Sequence, residues 1–289
     1  GEPPNTGKTE KYDGTSWTEL NDLTTVRFAP GGGGTQTAAM CVGGQPTPSV
    51  STASETWNGT SWTEGNNILT ARGRAGASES GTPSAMLFFG GNNAATPSYD
   101  LTETWNGTSW TETADINTSR FFPFGVGTQT AALCAGGDPT LVITEIWNGT
   151  SWTEVAGDLN TGRNKGGGCG STTSALVFGG GHTYVNTTAE YDGSSWTVGG
   201  SMTLTCRSRS SAGTQTAGLG ADAYAPGSQA VKTTEEYNGT GWTTVTSSGT
   251  ARYDGAGLGI QTAAISCGGR NPPTTSLSAL EAFSAFSGT

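Results

Sequence analysis

Six tryptophans recur at a nearly constant spacing along this chain. Trp17, Trp62, Trp110, Trp152, Trp196 and Trp242 each follow an aromatic–Asn/Asp–Gly run and precede threonine. The steps between them are 45, 48, 42, 44 and 46 residues. A repeat in the forties, made of short strands with glycine punctuation, stacks as the blades of a β-propeller, one four-stranded sheet per repeat. The expected fold is therefore all-β: six four-stranded antiparallel blades, with the ring closed by strands from both termini. The repeat has no linker, so residues 1–289 read as a single domain. Five blades fall at about 24–64, 70–112, 118–154, 161–198 and 204–244, and the sixth is shared between 8–19 and 250–289.

One repeat shows how the pattern predicts strands. Ala38–Val42 is apolar on both faces and ends at Gly43-Gly44, as a strand buried on both sides does. A polar loop leads to Glu55-Thr56-Trp57, then Asn58-Gly59, then Ser61-Trp62-Thr63-Glu64. Asn-Gly between strand-like runs signals a tight hairpin, with positive φ expected at both turn residues. Each repeat thus reads as strands a to d, the innermost first. The double glycine closes strand b at 43–44, 90–91, 136–137, 179–180 and 268–269. The fifth repeat has Gly220-Ala221 instead, and its b–c loop, Ala221 to Thr234, is the longest. That blade is expected to be irregular. The chain opens on a c–d hairpin and ends on a, b and a c-like segment around Glu281, giving seven c-like strands against six d-like ones.

Composition fits thin, closely packed sheets. Apolar residues make up 33%, and the 47 glycines bring the total near the usual globular share. The net charge is −10 without a basic run, which argues against a nucleic-acid partner. No apolar run approaches the roughly 20 residues of a membrane-spanning helix, so membrane insertion is not expected. No signal peptide is visible, and Gly1 rather than Met opens the chain, in keeping with a processed or longer parent protein. Cys41, Cys134 and Cys267 sit in one strand of three repeats, just before a Gly-Gly pair, and Cys169 and Cys206 in a different strand of two others. Matching positions in separate blades are expected to lie too far apart to bridge. All five are read as buried free thiols, which favours assembly in a reducing cytoplasm.

Arginine and glutamate repeat with the tryptophan. A Thr-x-Arg pattern recurs at Arg27, Arg72, Arg120, Arg163, Arg207 and Arg252. Glutamate stands two residues before the strand-c aromatic at Glu10, Glu55, Glu103, Glu145, Glu235 and Glu281, while Glu190 is shifted by one. One reading is an arginine ring that binds anions around a channel. The favoured one is a structural Arg–Glu pair in every blade, because an unpaired ring of like charges would repel itself.

Arginine, a buried strand ending in Gly-Gly, Glu-x-aromatic and tryptophan follow one another in an order that resembles the kelch repeat over essentially the whole chain. The wording WNGTSWTE with GTQTAA (127–132, for example) is similar to repetitive kelch-like proteins of marine bacteriophages. That resemblance implies a virion structural or tail-associated component, assembled in the bacterial cytoplasm; the alternative location is a secreted or cell-surface bacterial protein.

Little else points to chemistry. The four Asn-Gly-Thr glycosylation patterns follow from the hairpin turns. The turn before each tryptophan has the wrong spacing for the Asp-box of sialidase propellers. The lone His182 excludes the copper site of kelch-fold oxidases, and zinc and phosphate-loop motifs are absent. No metal site or cofactor is expected.

The unrepeated b–c loops attract the functional reading, because diverse loops on a rigid scaffold are where recognition surfaces are built. Tyr99, Tyr184 and Tyr224 are aromatic handles there. Asp100, Asp138, His182 and Asp222 are the polar candidates. The expected function is a non-enzymatic binding or structural module, a phage virion or tail appendage component that recognises a host-surface glycan or protein. One alternative is a polysaccharide hydrolase or lyase, which needs paired carboxylates or a Tyr/His pair in one pocket. Another is an architectural subunit that contacts only other virion proteins.

Overall fold

The computed structural model describes residues 4–227 and 229–271. These form six four-stranded antiparallel sheets and one small hairpin, with no helix among them. The c-like segment around Glu281 lies outside the described residues.

Strands a, innermost, are Gly31–Thr35, Gly76–Ala77, Phe124–Thr128, Gly167–Ser171, Ser210–Thr214 and Ala256–Ile260, for blades I to VI. Strands b are Ala38–Val42, Met86–Phe89, Ala131–Ala135, Ser174–Phe178, Ala217–Ala221 and Ala263–Cys267. Strands c are Ser54–Trp57, Thr102–Trp105, Thr144–Trp147, Thr188–Tyr191, Thr234–Tyr237 and Thr9–Tyr12. Strands d begin at Trp62, Trp110, Trp152, Trp196, Trp242 and Trp17. Blade VI is shared as expected: Thr9–Tyr12 pairs with Ala263–Cys267, with Glu10 opposite Ser266. The N-terminal hairpin thus covers Ala263–Cys267, which would otherwise be an open sheet edge. The irregular fifth blade carries an extra hairpin, Ala223–Ala225 with Gln229–Val231, in its long b–c loop.

The tryptophans hold the blades together. In every c–d hairpin the strand-c aromatic packs on the tryptophan, with ring centroids from 5.0 Å (Tyr191–Trp196) to 5.5 Å (Trp147–Trp152) apart. Such pairs add roughly 0.5–1.5 kcal/mol beyond area burial. Five of the six indole N–H groups also reach the preceding blade. Trp62 donates to Thr9, Trp152 to Thr102, Trp196 to Thr144, Trp242 to Thr188 and Trp17 to Thr234, at 2.8–3.1 Å. Serine stands in the sixth place. The Ser54 hydroxyl donates to the carbonyl of Asn66 instead, and the Trp110 indole N–H has no partner. The repeated glutamines act as a second staple: Gln36 donates to the carbonyl of Tyr12, Gln215 to Tyr191 and Gln261 to Tyr237 in the adjoining blade.

One local expectation changes. In the Asn-Gly turns only glycine has positive φ, 92° at Gly59. Asn58 avoids the strained region because its side-chain oxygen accepts the N–H groups of Thr60 and Ser61. The five cysteines are free and buried, as expected.

Candidate binding site at the axial mouth

The Arg–Glu pairs position the loops that enter each blade. Arg27 meets Glu55 at 2.7 Å and Arg252 meets Glu10 at 2.8 Å; Arg72–Glu103 and Arg120–Glu145 pair likewise. All are buried. Arg27 also donates to the carbonyls of Gly43 and Ala53, and Glu55 accepts the N–H groups of Thr24 and Thr25. The pair thus satisfies the ends of strands b and c and pins the d–a connection. The structural reading of the arginines holds for these four.

Arg163 and Arg207 depart from it. Arg163 is buried, but Ala189 stands where its carboxylate should be. Glu190, one residue on, faces the other way and accepts the Tyr237 hydroxyl. Arg163 keeps only a bond to the Thr187 carbonyl, and its Nε has no partner. Arg207 is not the structural arginine of its blade. Each glycine pair donates to the carbonyl of that arginine in the next blade, and in blade V the acceptor is Cys206. Arg209 reaches back to pair with Glu235. A one-residue slip of the Thr-x-Arg wording, to Thr205-Cys206-Arg207, hides this exchange.

Two residues past that place, each blade turns the chain at the axis. Ala29, Arg74, Phe122, Lys165, Ser208 and Asp254 all have φ between 49° and 59°. Their backbones join into a closed ring. Ala29 N–H donates to the Asp254 carbonyl (2.6 Å), Arg74 to Ala29 (2.9 Å), Phe122 to Arg74 (2.6 Å), Lys165 to Phe122 (3.4 Å), Ser208 to Lys165, and Asp254 to Ser208 (3.1 Å). The left-handed conformation costs a non-glycine residue of order 1 kcal/mol or more. A chain with 47 glycines nonetheless keeps a side chain at all six positions.

All of them but Ala29 line a depression on the b–c side of the ring. It encloses about 190 Å³ and is lined by Phe28, Arg74, Phe121, Phe122, Lys165, Arg207, Ser208, Tyr224, Tyr253, Asp254 and Arg270. Bridges from the residue before each ring position draw in the starts of the b–c loops: Phe28 with Gln45, Phe121 with Asp138, Arg207 with Tyr224 and Tyr253 with Arg270. Tyr184 stacks on Tyr224 (6.1 Å, 28°), and Tyr224 meets Tyr253 at 4.5 Å. The Arg207 guanidinium lies over both Tyr184 (4.6 Å) and Tyr224 (5.3 Å). Lys165 lies over Phe122 at 5.1 Å. Burial first, then Arg207 and Arg74 nearby, lower the Lys165 ammonium below the usual lysine range. Burial pushes the Tyr253 hydroxyl up to about 12.

Below the ring runs a channel of about 130 Å³, lined by Gly32, Ala77, Gly125, Gly168, Ser211 and Gly257 of strands a. Glu79 also lines it. It occupies the place of Gly34, Gly127, Gly170, Gly213 and Gly259 in the other blades. Neither carboxyl oxygen has a hydrogen-bond partner, and burial holds its pKa well above the usual carboxylate range.

The sequence candidates divide. Tyr184, outside the lining, stacks on Tyr224, which lines the mouth. Asp138 and His182 lie beside it, 3.6 Å apart, and the Asn164 amide donates to Asp138 at 3.0 Å. Tyr99 is tied into its own loop by Asn93, and Asp100 is exposed there; neither lines the depression. Asp222 is buried, contacts Arg252 at 2.9 Å and accepts from Ser248 and Ser266. It links two blades and is not available to a ligand. Sequence reasoning missed Arg74, Phe122, Lys165 and Tyr253, and placed Arg207 among the structural arginines; all five lie on the d–a connections. The signal was there: the residue two past each aligned position differs in all six repeats.

No family model matches this chain, and no curated protein matches it. The solved structure titled "Structure of YjhT" is similar, with a TM-score of 0.72 over 87% of this chain and 93% of that one. At 12% identity the likeness shows a shared fold.

Proposed function

We propose that this protein is a non-enzymatic binding module whose ligand seats in the axial mouth, and that it serves as a bacteriophage virion or tail appendage component recognising a host-surface glycan or protein. The observation that carries the binding reading is the ring of six left-handed residues that keep their side chains. Strain held at one place, in every blade, is best explained by what those side chains contact. Its aromatic and charged lining, in a concave site on a repeated scaffold, supports recognition. The phage assignment rests on the resemblance of the repeat wording.

Adsorption of fluorescently labelled protein to candidate host cells tests this. Saturable binding that falls when loop 181–189 is shortened supports receptor recognition. Binding to particle proteins with none to cells supports the architectural alternative. The proximity of Asp138 and His182 keeps a hydrolase or lyase as a second reading. Release of reducing ends or unsaturated sugars from a polysaccharide, abolished by Asp138→Asn, would replace the non-enzymatic one.

A further inference from the structure

We propose that the mouth takes an anionic sugar, one carrying a carboxylate or a sulfate, with the acidic group among Lys165, Arg207 and Arg74 and a face of the ring against the tyrosines. This rests on the reading that the mouth is the binding site, and adds the ligand's chemistry.

Charge carries the argument. The chain has 13 lysines and arginines against 23 acidic residues. Five arginines are spent inside the blades against glutamates. Of the remaining eight cations, Arg74, Lys165, Arg207 and Arg270 line one depression of about 190 Å³, with Asp254 as the lone carboxylate of its lining. Gathering cations in a partly buried hollow is unfavourable unless something anionic enters. Burial is the main cause of the lowered Lys165 ammonium; Arg207 and Arg74 add to it, and Asp138 and Asp254 oppose it. An acidic protein that concentrates positive charge at its axis draws a negative ligand there.

Shape narrows the class. The hollow is a closed depression rather than a stripe, unlike a phosphate-backbone track. Its volume suits one charged sugar unit and part of a neighbour. The flat rings of Tyr224 and Tyr253, both in the lining and 4.5 Å apart, suit the C–H face of a pyranose. Arg207 lies over the Tyr224 ring at 5.3 Å, so an acidic group bound to it leaves the sugar ring beside the aromatic side chains of the lining. Guanidinium matches carboxylate and sulfate oxygens in pairs. Ser208, also in the lining, is a hydroxyl partner for sugar oxygens. An acidic peptide would need an extended groove, which the closed outline does not offer.

Calorimetric titration of the whole chain provides the test. The panel contains uronic-acid oligosaccharides, sulfated oligosaccharides, neutral oligosaccharides of equal length and an oligoglutamate peptide. The expected result is binding of an acidic sugar that weakens as salt rises from about 50 to about 500 mM. Uronate and sulfate arms identify the anionic group. Arg207→Gln and Lys165→Gln should each weaken binding by about tenfold or more at an unchanged melting temperature. Should Arg207→Gln fail to fold, Arg207→Lys keeps the charge and should still lose affinity. Equal binding of neutral sugars, lost on Tyr224→Ala, would overturn the anionic class and leave the mouth as the site. Binding of oligoglutamate alone would overturn the sugar. Acidic-sugar binding indifferent to Arg207 and Lys165 would overturn the proposal and the mouth reading together.

Discussion

Arg27 and Arg163 occupy the same place in their blades, but only Arg27 faces a carboxylate. Removing one partner of a buried pair strands the other charge and costs about 3–5 kcal/mol. Arg27→Met is therefore expected to destabilise by that amount. Arg163→Met removes a cation whose pKa burial alone lowers, and should cost less than about 1.5 kcal/mol. Urea unfolding of the two variants compares them directly, and equal losses would refute the pairing argument. Trp110 offers the converse case. Ser54→Thr supplies the hydroxyl geometry of the other five blades, and should add about 1 kcal/mol by giving the indole N–H its partner. An unchanged melting temperature would count against it. Glu79 makes stability depend on pH. Its carboxyl is held protonated in the fold above its ordinary value of 4.5, while the unfolded chain ionises there. Stability is then full below the unfolded value and falls as pH rises through the interval above it. Glu79→Gln removes that decline: the two proteins should melt alike near about pH 4, with the variant higher near about pH 7. A gap of the same size at both pH values would contradict the protonated assignment.

At the scale of elements, the blades were legible and the connections were not. The Trp period, the double glycines and the hairpin turns report local geometry, so strands a to d follow from them. Shared closure of blade VI follows because an outer hairpin at one end needs inner strands at the other. Asp222 shows what local reading misses. A polar residue in a long loop reads as exposed, yet the extra hairpin folds that loop over blade VI and buries it against Arg252. Asp222→Ala is expected to destabilise by about 3–5 kcal/mol, as a broken buried pair, without changing ligand affinity. Loss of affinity at full stability would return Asp222 to the site. Arg207 was misassigned for a related reason: Cys206 holds the aligned place, and only the backbone bond from Gly180 reveals it.

Across the whole molecule, repetition builds a closed ring and variation is confined to its axis and loops. Each Arg–Glu pair fixes a d–a connection, and those connections meet in the hydrogen-bonded ring that presents the mouth. Stability and recognition should therefore separate. The most direct measurement compares adsorption to host cells and melting temperature for two variants, Arg207→Gln at the mouth and Asn106→Ala in a c–d turn on the opposite side. Arg207→Gln should melt with the wild type and lose adsorption. Asn106→Ala, which removes the acceptor for the Thr108 and Ser109 N–H groups, should lose about 1 kcal/mol and adsorb normally. Normal adsorption by Arg207→Gln together with loss by Asn106→Ala would contradict the account.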